Sequence, residues 1–314
     1  MNSLHAGRQT DSRVRDRAFG GPARQHDSME FFHFLIDILM DEMNPRRNIA
    51  EWALASQVEI DKYNAEPSIL WASNQFRKNW MYNKASELAD KTDLIEMSLI
   101  RCNKCGAERR NWQDTPLKFV LVEEKPRIQR LADALTKDLG AKTAEELEFG
   151  CESCGKLNPD GSAVLPPPGQ KTATGYRYQV WLPDYLWINL NRYTNKMDKL
   201  ETVFTFPEYG LDLTPTFPPD NPPSTHPLPR QQTGPFLYDV YAVIQHGGKS
   251  IAHGHYWTLQ KNFDKPRTVN GSPGAGAWHK YNDETVTPAS FADTQTSNTS
   301  GIFLVRQGAY KRAL

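Results

Sequence analysis

The chain has 314 residues, enough for one large domain or two medium ones, and its 39% hydrophobic and 24% charged content is ordinary for a globular protein. Lys+Arg and Asp+Glu both total 37, so the formal net charge is zero and no basic excess marks a nucleic-acid binder. Apolar stretches are short and interrupted, and the opening MNSLHAGRQTDSRVRDRAFGG has no apolar core of the signal-peptide kind, so neither nucleic acid nor membrane is an expected partner.

Residues 1–17 read as a disordered or truncated start. Asp27 to about Asn44 (DSMEFFHFLIDILMDEMN) is the first strong element: Phe32, Leu35, Ile36, Leu39 and Met43 recur at helical spacing, widened by Phe31, Phe34 and Ile38. Asp27 suits an N-cap with Glu30 three positions later, and Pro45 stops the helix. So apolar a helix is expected to be buried on most sides. Residues 48–89 read as mainly helical, anchored by Trp52, Trp71 and Trp80.

Asp93–Leu99 reads as a strand entering a metal knuckle, Pro116–Glu123 as a strand by its alternation, and Ile128–Leu139 as a short amphipathic helix. Tyr176–Trp181 and Tyr185–Tyr193 read as strands, with Leu186, Ile188 and Leu190 sharing one face of the second. A proline-rich insertion occupies 214–235. Strands follow at Tyr238–Ile244, His255–Lys261 and Gly301–Arg306, with a flexible loop at Gly271–Gly276. The layout is α+β, helix-rich first and sheet-rich after, with a metal-bound projection between.

The four cysteines form two C-x-x-C pairs, Cys102/Cys105 and Cys151/Cys154. Zinc takes four thiolates at tetrahedral corners, each knuckle supplying two from one tight turn, and Gly106 and Gly155 follow the second cysteine of each. A structural zinc ion is the expected cofactor; a knuckle that no longer binds metal and a redox pair are the alternatives, the latter without a thioredoxin-like pattern around it. Without a secretory signal, paired C-x-x-C also points to a reducing compartment, cytoplasmic or nuclear.

Two further segments carry chemistry. QHGGKSIAHGHYW, Gln245–Trp257, places His246, His253 and His255 in a glycine-rich loop running into a strand, where a histidine can act as general base; each alone also reads as a solvated loop residue. WHKYNDETV, Trp278–Val286, carries Asn282 and Asp283, which can orient an imidazole or simply make a turn.

Gln25, Asp27, Glu30 and Phe31 together resemble the Q-x-D-x-x-E-F signature of ubiquitin-specific proteases. Leu182-Pro183, Leu186, Ile188, Leu190 and Arg192-Tyr193 are similar to that family's L-P-x-x-L-x-I-x-L-x-R-(F/Y) strand, and Phe206-Pro207 with Leu211-Asp212-Leu213 to the segment after it. Tyr238, Ala242–Ile244, His246, Gly247, Gly254–Tyr256, Trp278, Tyr281–Asp283 and Val286 resemble its histidine box, and the C-x-x-C pairs its fingers.

The resemblance implies a papain-like fold over 18–307, with a partial helical thumb (18–90), zinc-ribbon fingers (mainly 91–181) and a sheet palm (mainly 182–307). It implies His255 as general base, Asn282 as the residue orienting it with Asp283 beside it, Gln25, Asp27 and Tyr256 along the ubiquitin-tail cleft, and ubiquitin or ubiquitinated proteins as partners. The family's nucleophile box, N-x-C-(W/Y/F)-x-N-S, has no counterpart upstream of Gln25, where only Asn2-Ser3 agrees with its end. A cysteine-type deubiquitinase domain, inactive as it stands for want of a nucleophilic cysteine, is therefore expected; the alternative is a non-catalytic ubiquitin-binding or scaffold relative.

Overall fold

In the computed structural model, the residues described are 28–45, 66, 68–83, 86–137, 139, 145–218, 232, 234–250, 253–261 and 278–309. Gln25, Asp27, Trp52, the 219–231 stretch of the proline-rich insertion and the Gly271–Gly276 loop lie outside them.

Helix α1, Ser28–Glu42, ends before Pro45 as its sequence predicts. It buries Met29, Ile36 and Met40, and Phe32 meets Trp187 and Phe303 edge-on at centroid distances of 4.7 and 5.1 Å. The expectation of burial on most sides is not met. Among the described residues one stripe, Met29, Phe32, Ile36 and Met40, packs against the sheet and the short helix Glu87–Thr92, while Phe31, Leu39 and, just past the helix end, Met43 are exposed at 41%, 40% and 49%. Helices α2 (Ile69–Asn83) and α3 (Glu87–Thr92) follow, the latter capped by the Ser86 side chain accepting from the Ala89 N–H.

Strand β1, Leu94–Cys102, pairs with β2, Glu108–Thr115, and with β6, Ala173–Trp181; β5, Glu145–Leu147, completes a four-stranded sheet in the order β2-β1-β6-β5. β2 (ERRNWQDT) is a strand that alternation does not reveal. Arg110 pairs with Glu108, which also meets Arg101 on β1, and Trp112 stacks on Phe76 of α2 at 5.5 Å. The segment expected as one helix from Ile128 is instead strand β4, Ile128–Arg130, then helix α4, Leu131–Thr136. Parallel pairing with β8, Val203–Thr205, draws its start into extended form.

The larger sheet runs β13-β12-β11-β10-β14-β7-β3, with β9 (Leu211–Asp212) paired to β10. Its strands are β3 (Leu117–Leu121), β7 (Tyr185–Asn191), β10 (Leu237–Ser250), β11 (His253–Lys261), β12 (Trp278–Asn282), β13 (Thr285–Ala289) and β14 (Thr299–Arg306). Leu186, Ile188 and Leu190 of β7 join Phe204, Phe236, Tyr238, Ile302 and Leu304 in the main core. Each such fully buried side chain contributes about 1.5–3 kcal/mol. β10 is the middle strand, with β14, β7 and β3 on one side of it, while β11, β12 and β13 follow antiparallel to the opposite edge. The site lies on those strands.

Candidate functional site

Where β10 gives way to β11 the pairing has a register break between the Gly247↔His255 and Ser250↔His253 pairs. Three glycines make this close passage possible. A Cβ at Gly247 would press on the Trp257 ring at 2.8 Å; one at Gly248 would overlap the carbonyl oxygen of His253; one at Gly254 would overlap Nε2 of His246. Gly248 also has φ +158°.

His255 follows at the head of β11. Its Nε2 lies 2.5 Å from Oδ1 of Asn282, at the end of β12, and 3.5 Å from Oδ2 of Asp283. An amide oxygen only accepts, so Nε2 carries the proton and Nδ1 keeps its lone pair, the tautomer that a general base needs. Asp283 enters the β12-β13 turn at φ +50°, a conformation that Asp tolerates better than most side chains. The site is open: the His255 and Asp283 side chains are 49% and 76% exposed.

Trp257, two residues along β11, lies on the same face, its ring near-parallel to that of His255 at 6.3 Å. Its Nε1 donates to Gln245 Oε1 at 2.7 Å, and Gln245 in turn donates to the Asp293 carbonyl and Thr296 Oγ1. The sequence pattern gives no role to Gln245 or Trp257; their alternation with His255 across paired strands is the signal that finds them. Tyr256 points to the opposite face, its ring 4.4 Å from that of the fully buried His246, so it is not brought to the His255–Asn282 pair. His246 Nδ1 meets Tyr193 Oη at 2.7 Å. His253 is exposed beside them.

The four cysteines meet at the far end of the smaller sheet. Cys102 closes β1, and Cys151 and Cys154 lie between β5 and β6. All four Sγ atoms lie within 4.8 Å of one another, with Cys102–Cys154 at 3.7 Å and Cys105–Cys151 at 3.6 Å. A tetrahedron of thiolates at a Zn–S distance near 2.3 Å has edges of about 3.8 Å. Each knuckle closes with an N–H···O bond, Gly106 to Cys102 at 2.9 Å and Gly155 to Cys151 at 2.8 Å. The Cys105 and Lys104 backbone N–H groups draw the Cys102 thiol down to about 6. Hydrogen bonding to Cys105, then burial, pushes Cys154 up to about 12. Thiols this close cannot all ionise unaided, and a divalent cation is the chemistry that lets them. The donor set fits zinc.

The molecule is thus an α+β domain in which a four-thiol finger extends from a sheet whose edge hairpins carry an imidazole–carboxamide pair. The family model for ubiquitin carboxyl-terminal hydrolase matches residues 13–305, and the chain belongs to that family. It is 27% identical over 276 residues to ubiquitin carboxyl-terminal hydrolase 4 of Vanderwaltozyma polyspora, covering 84% of this chain and 28% of that protein. Against ubiquitin carboxyl-terminal hydrolase 5 of Saccharomyces cerevisiae it is 26% identical, covering 85% of this chain and 31% of the other. The chain therefore spans under a third of the length of these relatives.

Among solved structures, a yeast SAGA DUB module chain matches with TM-score 0.56 at 18% identity, over 89% of this chain and 50% of that one. Another, from the module bound to ubiquitin aldehyde, matches with TM-score 0.50 over 74% of this chain and 47% of that one. The fold is that of the ubiquitin-specific proteases: sheet-rich core, cysteine finger and partial helical layer. Among the described residues no helix is long and apolar enough to cross a membrane.

Proposed function

We propose that this chain is a ubiquitin-binding deubiquitinase-family domain that retains the base side of the active site but carries no thiol to attack a carbonyl. His255 takes the part of the general base, Asn282 fixes its tautomer through Nε2, and Asp283 offers the same N–H a second acceptor. One observation carries the reading: the sequence has four cysteines, and all four converge on one cluster. A metal-held thiolate has its lone pairs engaged and its position fixed, so it is no nucleophile. A base without a nucleophile contributes little. In a polypeptide that supplied a thiol beside Nδ1, the same imidazole would take its proton and later return it to the leaving amine.

Cys102, Cys105, Cys151 and Cys154 hold a structural zinc ion in this reading, a closed site with no catalytic position. In this reading residues 18–90 form the partial thumb, 91–181 mainly the fingers and 182–307 mainly the palm, with Gln25 and Asp27 along the path of the ubiquitin tail and Tyr256 behind it, packed on His246. Ubiquitin is the partner that both the family and the ubiquitin-aldehyde-bound relative suggest.

The test is to incubate the purified chain with ubiquitin bearing a C-terminal electrophile, and separately to titrate it with unmodified ubiquitin. No covalent adduct and saturable binding are expected. A covalent adduct, or release of a ubiquitin-linked fluorophore above buffer, refutes the claim about the missing thiol; absence of binding refutes the ubiquitin reading.

A further inference from the structure

Beyond β7 the chain makes a tight turn whose contacts lead back to the hairpin carrying His255. Thr194 N–H donates to the Asp198 carbonyl at 3.0 Å and Met197 N–H to the Thr194 carbonyl at 2.8 Å, with Met197 at φ +66°. The turn docks on the end of β10: Lys199 N–H donates to the Lys249 carbonyl at 3.0 Å, and Asp198 bridges Ser250. Ser250 is in turn the last partner of His253, two residues before His255.

The Lys199 side chain makes a second connection. Its Nζ donates to the His246 carbonyl at 2.5 Å and to Asn298 Oδ1 at 2.8 Å, while His246 N–H donates to the Asn298 carbonyl at 2.8 Å. The ammonium therefore fills a ladder position where β10 turns out into the Gly247–Gly254 passage. Both acceptors are neutral oxygens, and among the described residues no carboxylate lies within ion-pair distance of Nζ. The charged and titratable neighbours are Arg192 and Tyr193 after β7, Asp198 and Glu201 on its own turn, and His246 on β10. Burial, then Arg192, pulls the lysine down to about 8, against Glu201.

We propose that Lys199 is a positioning residue for His255: its ammonium ties the 194–198 turn, the end of β10 and Asn298 into one unit that fixes the hairpin from which the imidazole projects. The role assigned to His255 rests on the function proposed above; the clamp itself rests on the contacts alone.

Amide exchange of the free chain tests it without ubiquitin, so loss of ubiquitin binding and loss of the clamp are told apart. Lys199→Met keeps the aliphatic stem and removes the donors. Protection of Gly247, Gly248 and Gly254–Tyr256 should fall about tenfold, with β7 and β14 unchanged, since hydrogen bonds from a charged group hold about that much. Lys199→Arg should restore most of it. In the wild type, protection of the same amides should fall between pH 7 and pH 9, needing no substitution, and the fall should vanish in Lys199→Arg. Unchanged loop protection in Lys199→Met, loss spread evenly over the core, or a pH step that persists in Lys199→Arg would each overturn the assignment.

Discussion

Gly254 lies flat against the imidazole of His246, so close that a methyl group at position 254 would overlap Nε2 of that ring and the carbonyl oxygen of Gly247. The contact joins a fully buried histidine to the residue immediately before the exposed one. It explains why the passage into β11 needs a glycine although Gly254 is not among the glycines with positive φ. The constraint is space, and it is set by His246, which is itself held by Tyr193 and by the Lys199 bond to its carbonyl.

Gly254→Ala should therefore destabilise the fold by about 1–3 kcal/mol, the usual cost of overpacking. It should also displace His255 from Asn282. Urea denaturation and the imidazole resonances of His255 measure the two effects. An alanine variant with wild-type stability and an intact His255–Asn282 hydrogen bond would show that His246 can move aside.

Zinc in the finger makes a separate prediction. The purified chain should contain about one zinc per molecule by elemental analysis, because structural sites of this kind bind tightly. Cys151→Ser, or a strong chelator, should release it and lower Tm by roughly 5–10 °C. Loss should be greatest in β1, β5 and β6, whose ends the knuckles join: Cys102 pairs with Ala173, and Ala173 with Leu147. A metal-free chain with the same Tm would remove the finger's metal from the account.

Lys261 gives a pH dependence. Its side chain is 2% exposed and its ammonium lies 2.8 Å from Glu208 Oε1; Trp278 Nε1 donates to the same carboxylate at 3.0 Å, and Tyr209 Oη meets the ammonium as well. Burial alone would raise Glu208, but Lys261 and Trp278 outweigh it and hold the carboxyl below its ordinary value. A depressed carboxylate contributes stability that is complete above the unfolded value of about 4.3 and is lost as pH falls through the folded one. Glu208→Gln should cost about 3 kcal/mol at pH 7, because it strands a buried cation. The gap to wild type should narrow as pH is lowered from about 5 toward the folded value. Denaturation curves at pH 7 and at acid pH decide it; a gap independent of pH excludes the ion pair.

Much of this architecture is legible in the sequence because local pattern and tertiary role agree. In β7 the residues of one face, Leu186, Ile188 and Leu190, are all buried in the main core, and Trp187 on the other face is covered by α1. The pairing of His255 with Asn282 was legible as a resemblance, and the geometry brings the two together across β11 and β12. Where the sequence misleads, a distant partner decides. β2 is charged along its length and becomes a strand through Arg–Glu pairs and one stacked tryptophan. β4 gives up helix for a three-residue parallel pairing with β8. Lys199 has no local signal at all, because both its acceptors are far along the chain.

The remaining miss, the half-covered helix α1, yields the last prediction. Exposed apolar side chains on one side of a helix promote association without contributing to the fold of the monomer. Leu39→Gln and Met43→Gln together should leave unfolding free energy within about 0.5 kcal/mol per site. Ile36→Ala, on the stripe that meets the sheet and 6% exposed, should cost about 2–5 kcal/mol. Sedimentation and light scattering should show the double variant more monomeric at high concentration than wild type. If it instead unfolds like Ile36→Ala, the face bearing Leu39 and Met43 is covered in solution, and the single-stripe packing of α1 is wrong.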